Sequence, residues 1–251
     1  MRILVFSDIH GNAVGLEALL ADVSGESFDQ LVCLGDAIQG GPQPREVLAK
    51  LRELNCPVVM GNADAWLLTG QESGAENISD ERRRKMDAVR LWSLAQLTAA
   101  DCALIGAFQP TVEIPLENGR RLLCYHGSMQ SFDDVILPTT PDEEVRRFLE
   151  PEEQTIYTGG HTHIQFIRHL GRTFHFNPGS VGLAYRHDQA DGAPFRTDPW
   201  AEYAILTVSG GRVSLEFRRA PFDAERLMAV YRASGRPFAD DMIRQYTASV
   251  S

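Results

Sequence analysis

"RILVFSDIHGNAVGLEALLADV", residues 2–23, holds a strand, a turn and a helix in one run. Arg2 to Phe6 is short and apolar and reads as a buried strand. From Val14 to Val23, Leu16, Leu19, Leu20 and Val23 recur at helical spacing and make one apolar face. Between them, Ser7 to Asn12 sets an aspartate, a histidine and a glycine where the strand ends. The same order recurs downstream. "QLVCLG" (Gln30 to Gly35) is a second strand, followed by a helix near Arg45 to Leu54, and "PVVMG" (Pro57 to Gly61) is a third. Strands separated by helices of this length predict parallel βαβ units.

The pattern changes after the third run. Residues 65–109 have little strand signal. Their stretch from Asn77 to Leu97 offers Ser79 as an N-cap, acids in the first turn, and Met86, Val89, Trp92 and Ala95 spaced by three. A helical insertion over about 65–109, set directly after Asp64, is expected there, as a lid or as a simple cover for the sheet. Beyond Phe108 the chain turns β-rich. Residues 111–127 form a hairpin with Asn118-Gly119 at its turn, and strands follow at 154–160, 173–179, 202–208 and 212–219. A helix runs from Asp223 to Ala233, and the tail beyond it is ambiguous. Without repeats or a Pro/Ser-rich linker, 1–251 reads as a single α/β domain: a parallel half, a mostly antiparallel half, and two packed sheets flanked by helices.

At 251 residues, 43% of them hydrophobic and 23% charged, the chain can bury a sizeable core. It has no apolar run long enough to span a membrane, and its N-terminus lacks a signal-peptide core, so a cytoplasmic protein is expected. Four cysteines are scattered without C-x-x-C spacing, and Cys33 and Cys124 lie in strand-like runs as reduced core thiols. A net charge of −10 argues against broad nucleic-acid binding. It does not forbid a small anionic substrate if metal ions supply local positive charge.

The strand ends carry the chemistry. The first delivers Asp8 and His10 ("SDIHGN"), the second Asp36 ("LGDAIQGG") and the third Asn62 ("MGNAD"). The hairpin delivers His126 ("YHGS"), and the next strand His161 and His163 ("GGHTHIQ"). Any one of these turns alone is an ordinary surface feature. Five at strand ends, mostly beside glycine, are a set. Asp and His ligate first-row transition metals, and two carboxylates with four imidazoles are too many for one tetrahedral site. They suit a pair of ions sharing a bridging carboxylate, an arrangement that clamps a phosphoryl group.

These residues, in this order and spacing, resemble the five-part signature of the calcineurin-like metallophosphoesterases. "NPGSVG" (Asn177 to Gly182) resembles the small bacterial and archaeal phosphodiesterase branch. The resemblance implies a four-layer α/β/β/α sandwich of two mixed sheets. It implies one metal held by Asp8, His10, Asp36 and His163, and a second by Asp36, Asn62, His126 and His161. Asp36, Asn62 and His126 would then be catalytic, with attack by a hydroxide bridging two divalent ions. Mn²⁺ is expected, and Fe, Co, Ni or Zn would also suit the ligands.

Two departures from the family pattern bear on the substrate. Much of the superfamily has a histidine after the motif asparagine, whereas this chain has Ala63, which cannot donate a proton. Asp64 beside it reads as a brace for His10 or a backbone turn. "GDAIQGG" has Gln39 and Gly40 where protein phosphatases carry an Asp-Arg pair, which removes their phosphate-binding arginine. Ser180 and Arg186 are candidate substrate-oxygen contacts and Tyr185 a candidate base-stacking ring, while His169 and His175 read as structural. The expected function is hydrolysis of small phosphodiesters, 2′,3′-cyclic nucleotides among them. The rivals are a broad phosphomonoesterase and a metal-binding scaffold that docks a protein partner. The expected partner is a small phosphodiester or nucleotide; whether the chain forms a homo-oligomer is open.

Overall fold

The computed structural model describes residues 1–71, 79–189 and 195–247. β1 (Arg2–Phe6) decides the layering through its alternation. Ile3 and Val5 point to one side, where they join Ile114, Leu122, Cys124, Ile156 and Phe176 in a dry layer between two sheets. Leu4 and Phe6 point the other way, onto a cluster that includes Leu16 and Leu19 of α1 (Ala13–Asp22), Val47 and Leu51 of α2 (Pro44–Leu54) and Leu227 of α7 (Ala224–Ser234). A strand whose two faces are both apolar must be covered on both.

The first sheet has the order β2-β1-β8-β9. β2 (Gln30–Cys33) runs parallel to β1, and β8 (Trp200–Ser209) runs antiparallel on its other side, with Ile3 opposite Leu206. β9 (Arg212–Pro221) returns from β8 through Gly210-Gly211. The second sheet has the order β3-β4-β5-β7-β6. Its strands are β3 (Val112–Pro115), β4 (Arg121–Cys124), β5 (Thr155–Thr158), β6 (Gln165–Leu170) and β7 (Thr173–Pro178). Its outer face packs Leu123, Tyr157 and Phe166 on Val145 and Leu149 of α6 (Asp142–Leu149). The result is the four-layer α/β/β/α sandwich of two mixed sheets.

The division into a parallel and an antiparallel half does not hold. β8 and β9, late in the chain, complete the first sheet, and β4, β5 and β7 are mutually parallel in the second. "PVVMG" is not a full strand. Pro57 has no N–H and Gly61 already caps α3 (Asn62–Thr69), so only single bridges remain, Cys33 to Val58 and Val59 to Gln109. β6 and α6 lacked a sequence signal. β6 alternates buried and solvent-facing positions with Arg168 and His169 in its middle, and α6 buries only Val145 and Leu149.

The described residues of 62–106 hold α3, α4 (Asp80–Gln96) and α5 (Ala99–Gly106), and the part of the expected insertion over 72–78 lies outside the described residues. Ser79 caps α4 by accepting from Arg82 N, and Thr98 and Asp101 form a capping box on α5. The tail forms α8 (Ala239–Thr247). Among the described residues no helix is long and apolar enough to cross a membrane.

Candidate metal centre

Each polar turn sits where its strand stops pairing. Asp8 and His10 follow β1, Asp36 follows β2, His126 follows β4, and His161 and His163 follow β5; Asn62 opens α3. The turns bend hard. Asp8, His10, Asp36, His161 and His163 have φ of +54°, +48°, +48°, +69° and +56°. Such left-handed backbone costs a side-chain-bearing residue of order 1–3 kcal/mol, and it persists where neighbours over-determine it. Here the turns hold one another. Asp8 N donates to Gly35 O, His10 N to Asp36 O, and Gly160 N to His126 O. A Cβ on Gly61 would lie 2.1 Å from Asp36 Oδ1, and one on Gly160 would lie 2.0 Å from Ser7 Oγ. Glycine is the residue that fits at both.

Three imidazoles are aimed by backbone carbonyls. The Nδ1 atoms of His10, His126 and His163 lie 2.9, 2.8 and 2.7 Å from the carbonyls of Gln39, Leu34 and Leu183. Each Nε2 is thereby turned inward, as in metal sites where the other ring nitrogen is anchored. His10 Nε2 and His163 Nε2 are 3.1 Å apart, and His163 Nε2 is 3.3 Å from Asp8 Oδ1, a buried oxygen without a hydrogen-bond partner. His126 Nε2 lies 3.3 Å from Asp36 Oδ2 and 3.0 Å from Asn62 Oδ1. Asp8, His10 and His163 form one group able to hold a metal ion, and Asp36, His126 and His161 a second. Asp36 Oδ2 also lies 3.8 Å from His10 Nε2, so one oxygen faces both groups. An orphaned carboxylate oxygen and converging imidazole nitrogens fit divalent transition metals.

The electrostatics suit cations. Burial would lift the Asp36 carboxyl, but the imidazoles around it, His126 first and then His10 and His161, together hold it below its ordinary range. His163, with His126, likewise holds Asp8 down against burial. Burial would push His126 down, yet Asp36 raises it to about 9, and Asp8 likewise raises His163. His10 and His161 are lowered, first by burial. The site thus pairs ionised carboxylates with imidazoles, His126 and His163, whose protons a metal would displace.

Asp64 is fully buried and braces a backbone turn. It accepts from Ala37 N at 2.8 Å and Ile38 N at 2.9 Å, bracing the turn that carries Asp36, and burial raises its carboxyl to about 7. Ser180 is also fully buried. Its hydroxyl donates to Asp8 O and accepts from Leu183 N, which fixes the loop and leaves nothing for substrate. Asn177 Nδ2 donates to Gly160 O and Thr162 Oγ1, so "NPGSVG" stitches β7 to the metal-facing turns. Arg186 forms a two-pronged, exposed pair with Asp188 at 3.0 and 2.7 Å, turned to its own loop. His175 is buried against Tyr125 and lowered to about 3 by burial. Sequence reading missed His187 and Phe195, which surround Tyr185; they lie in a loop with no periodicity to mark them.

The family model of the calcineurin-like phosphoesterase superfamily domain matches residues 1–209. The chain belongs to that superfamily. Metal-dependent hydrolysis of phosphoesters, with divalent metals as cofactors, is the activity this membership brings. The chain is 28% identical over 193 residues to phosphodiesterase YfcE of Escherichia coli, covering 73% of this chain and 80% of that protein. A metallophosphoesterase structure from Sphaerobacter thermophilus matches with a TM-score of 0.71 at 25% identity, over 96% of this chain and 97% of that one. A hypothetical protein from Pyrococcus horikoshii shares the fold with a TM-score of 0.78 at 17% identity, covering 98% of each chain.

Proposed function

We propose that this phosphoesterase is a two-metal phosphodiesterase for small esters whose leaving oxygen departs easily, 2′,3′-cyclic nucleotides included. One observation carries the reading: Asp36 Oδ2 faces both donor groups, at 3.8 Å from His10 Nε2 and 3.3 Å from His126 Nε2. Asp8, His10, Asp36 and His163 would hold one ion, and Asp36, Asn62, His126 and His161 the other, with Mn²⁺ suited to both. When bound, the pair supplies Lewis-acid charge and activates water at neutral pH.

The chain's own residues then set what can react. Ala63 N donates to Asp36 Oδ1 at 2.8 Å, so the first turn of α3 orients the shared carboxylate without offering a side-chain proton. No acid at position 63 favours strained cyclic and aryl diesters over alkyl monoesters. Residues 1–251 act as one domain in this reading, with α3–α5 as a helical insertion beside the site.

Hydrolysis of bis-p-nitrophenyl phosphate and p-nitrophenyl phosphate, with and without Mn²⁺, tests it. The diester is expected to turn over faster than the monoester. Both release p-nitrophenolate, which needs little general-acid help, so the comparison reads the preference for a monoanionic diester over a dianionic monoester, and both activities should vanish without metal. A faster monoester would overturn the reading in favour of a phosphomonoesterase.

A further inference from the structure

The loop after "NPGSVG" carries a ladder of rings that phosphoryl transfer does not use. Tyr185 lies 5.5 Å from the His163 ring, centroid to centroid. His187 stacks on Tyr185 at 4.5 Å with 24° between planes, and Phe195 meets Tyr185 edge-on at 4.9 Å. These are favourable aromatic separations. His187 is solvent-exposed and Phe195 is 44% exposed, so the outer rings leave apolar faces uncovered at the edge of the site.

The ladder is held in place. His187 Nε2 lies 2.8 Å from Thr162 O, between His161 and His163. The Gln189 side chain accepts from Arg196 N at 2.7 Å and donates to Arg186 O and Arg196 O at 2.9 Å each. Asp198 N closes the loop base on Ala184 O. Rings serving only to pack would be covered by the chain; Tyr185 is half-buried, and His187 and Phe195 are exposed. Arg186 is engaged by Asp188, so this rim suits an uncharged ring better than a second phosphate.

We propose that Tyr185, His187 and Phe195 form a nucleobase subsite, the base stacking on the outer rings while its phosphodiester lies at the His163 end. The inference rests on the phosphodiesterase reading above and narrows it to nucleoside esters. Stacking reads any base through its π-face, so the subsite discriminates base from no base and reads base identity weakly.

The test compares 2′,3′-cyclic AMP with glycerol 1,2-cyclic phosphate, which has the same strained ring and no base, on the Mn²⁺-loaded protein. The wild type is expected to show the lower KM for the nucleotide. Phe195→Ala should raise that KM about tenfold with kcat held, and leave the glycerol ester unchanged. Independently, metal-free Phe195→Trp should show fluorescence quenching by adenosine, beyond that of the wild type, and none by ribose. Turnover of both esters with equal KM, or a nucleotide KM indifferent to Phe195→Ala, overturns the subsite and leaves the phosphodiesterase standing. Turnover of neither cyclic ester, nor of bis-p-nitrophenyl phosphate, overturns the phosphodiesterase itself.

Discussion

Ala63 occupies the second position of α3, half-buried, with its N–H on the Asp36 carboxylate. Its methyl group stands where much of the superfamily presents an imidazole. Ala63→His is therefore expected to raise kcat on a dialkyl phosphodiester by about 10²-fold, the lower end of general-acid catalysis, with bis-p-nitrophenyl phosphate changed about twofold or less. Equal gains on both esters would assign the new ring to binding. Gly61, one position before α3, tests the packing of the same turn. Gly61→Ala puts a carbon against Asp36 Oδ1, so metal content by mass spectrometry should fall below that of the wild type; undiminished content would show that the turn can give way. The clustering of these aspartates and histidines was legible because each follows an apolar run and most sit beside glycine. Their orientation was not, since it depends on carbonyls at Gln39, Leu34 and Leu183, remote in sequence from His10, His126 and His163.

Between elements, the same contrast has a physical cause. β1, β2, α1 and α2 announce themselves by period, and α4 by its Ser79 cap. Strand partners do not, because pairing depends on which edge is free. β1 takes β8, about 200 residues away, and "PVVMG" loses its strand between Pro57 and the α3 cap. The late hairpin is tied back by Glu26 after α1, which pairs with Arg218 of β9 and Arg2 of β1. Those hydrogen bonds, Arg218 first, lower the Glu26 carboxyl from 4.5 to about 2. A depressed carboxyl stabilises the fold above its unfolded value and loses that contribution as pH falls through its folded one. Glu26→Gln should thus lower Tm at about pH 7, and the gap to wild type should close between about pH 4.5 and 2. A gap independent of pH would assign Glu26 to packing rather than charge.

At the scale of the whole molecule, the centre exists because two sheets meet. Asp8, His10 and Asp36 come from the first sheet, and His126, His161 and His163 from the second. His126 Nδ1 on Leu34 O and Ser180 Oγ on Asp8 O cross between them, so the sandwich and the site form together. Asp36 is the central residue, since its Oδ2 faces both groups. The most direct measurement is electron paramagnetic resonance of the protein reconstituted with Mn²⁺, with metal counted per chain. Two ions per chain and an exchange-coupled spectrum are expected, reduced in Asp36→Asn to fewer than two ions without coupling. A fully loaded wild type with two uncoupled ions, or an Asp36→Asn protein that keeps both ions coupled, would contradict the shared carboxylate.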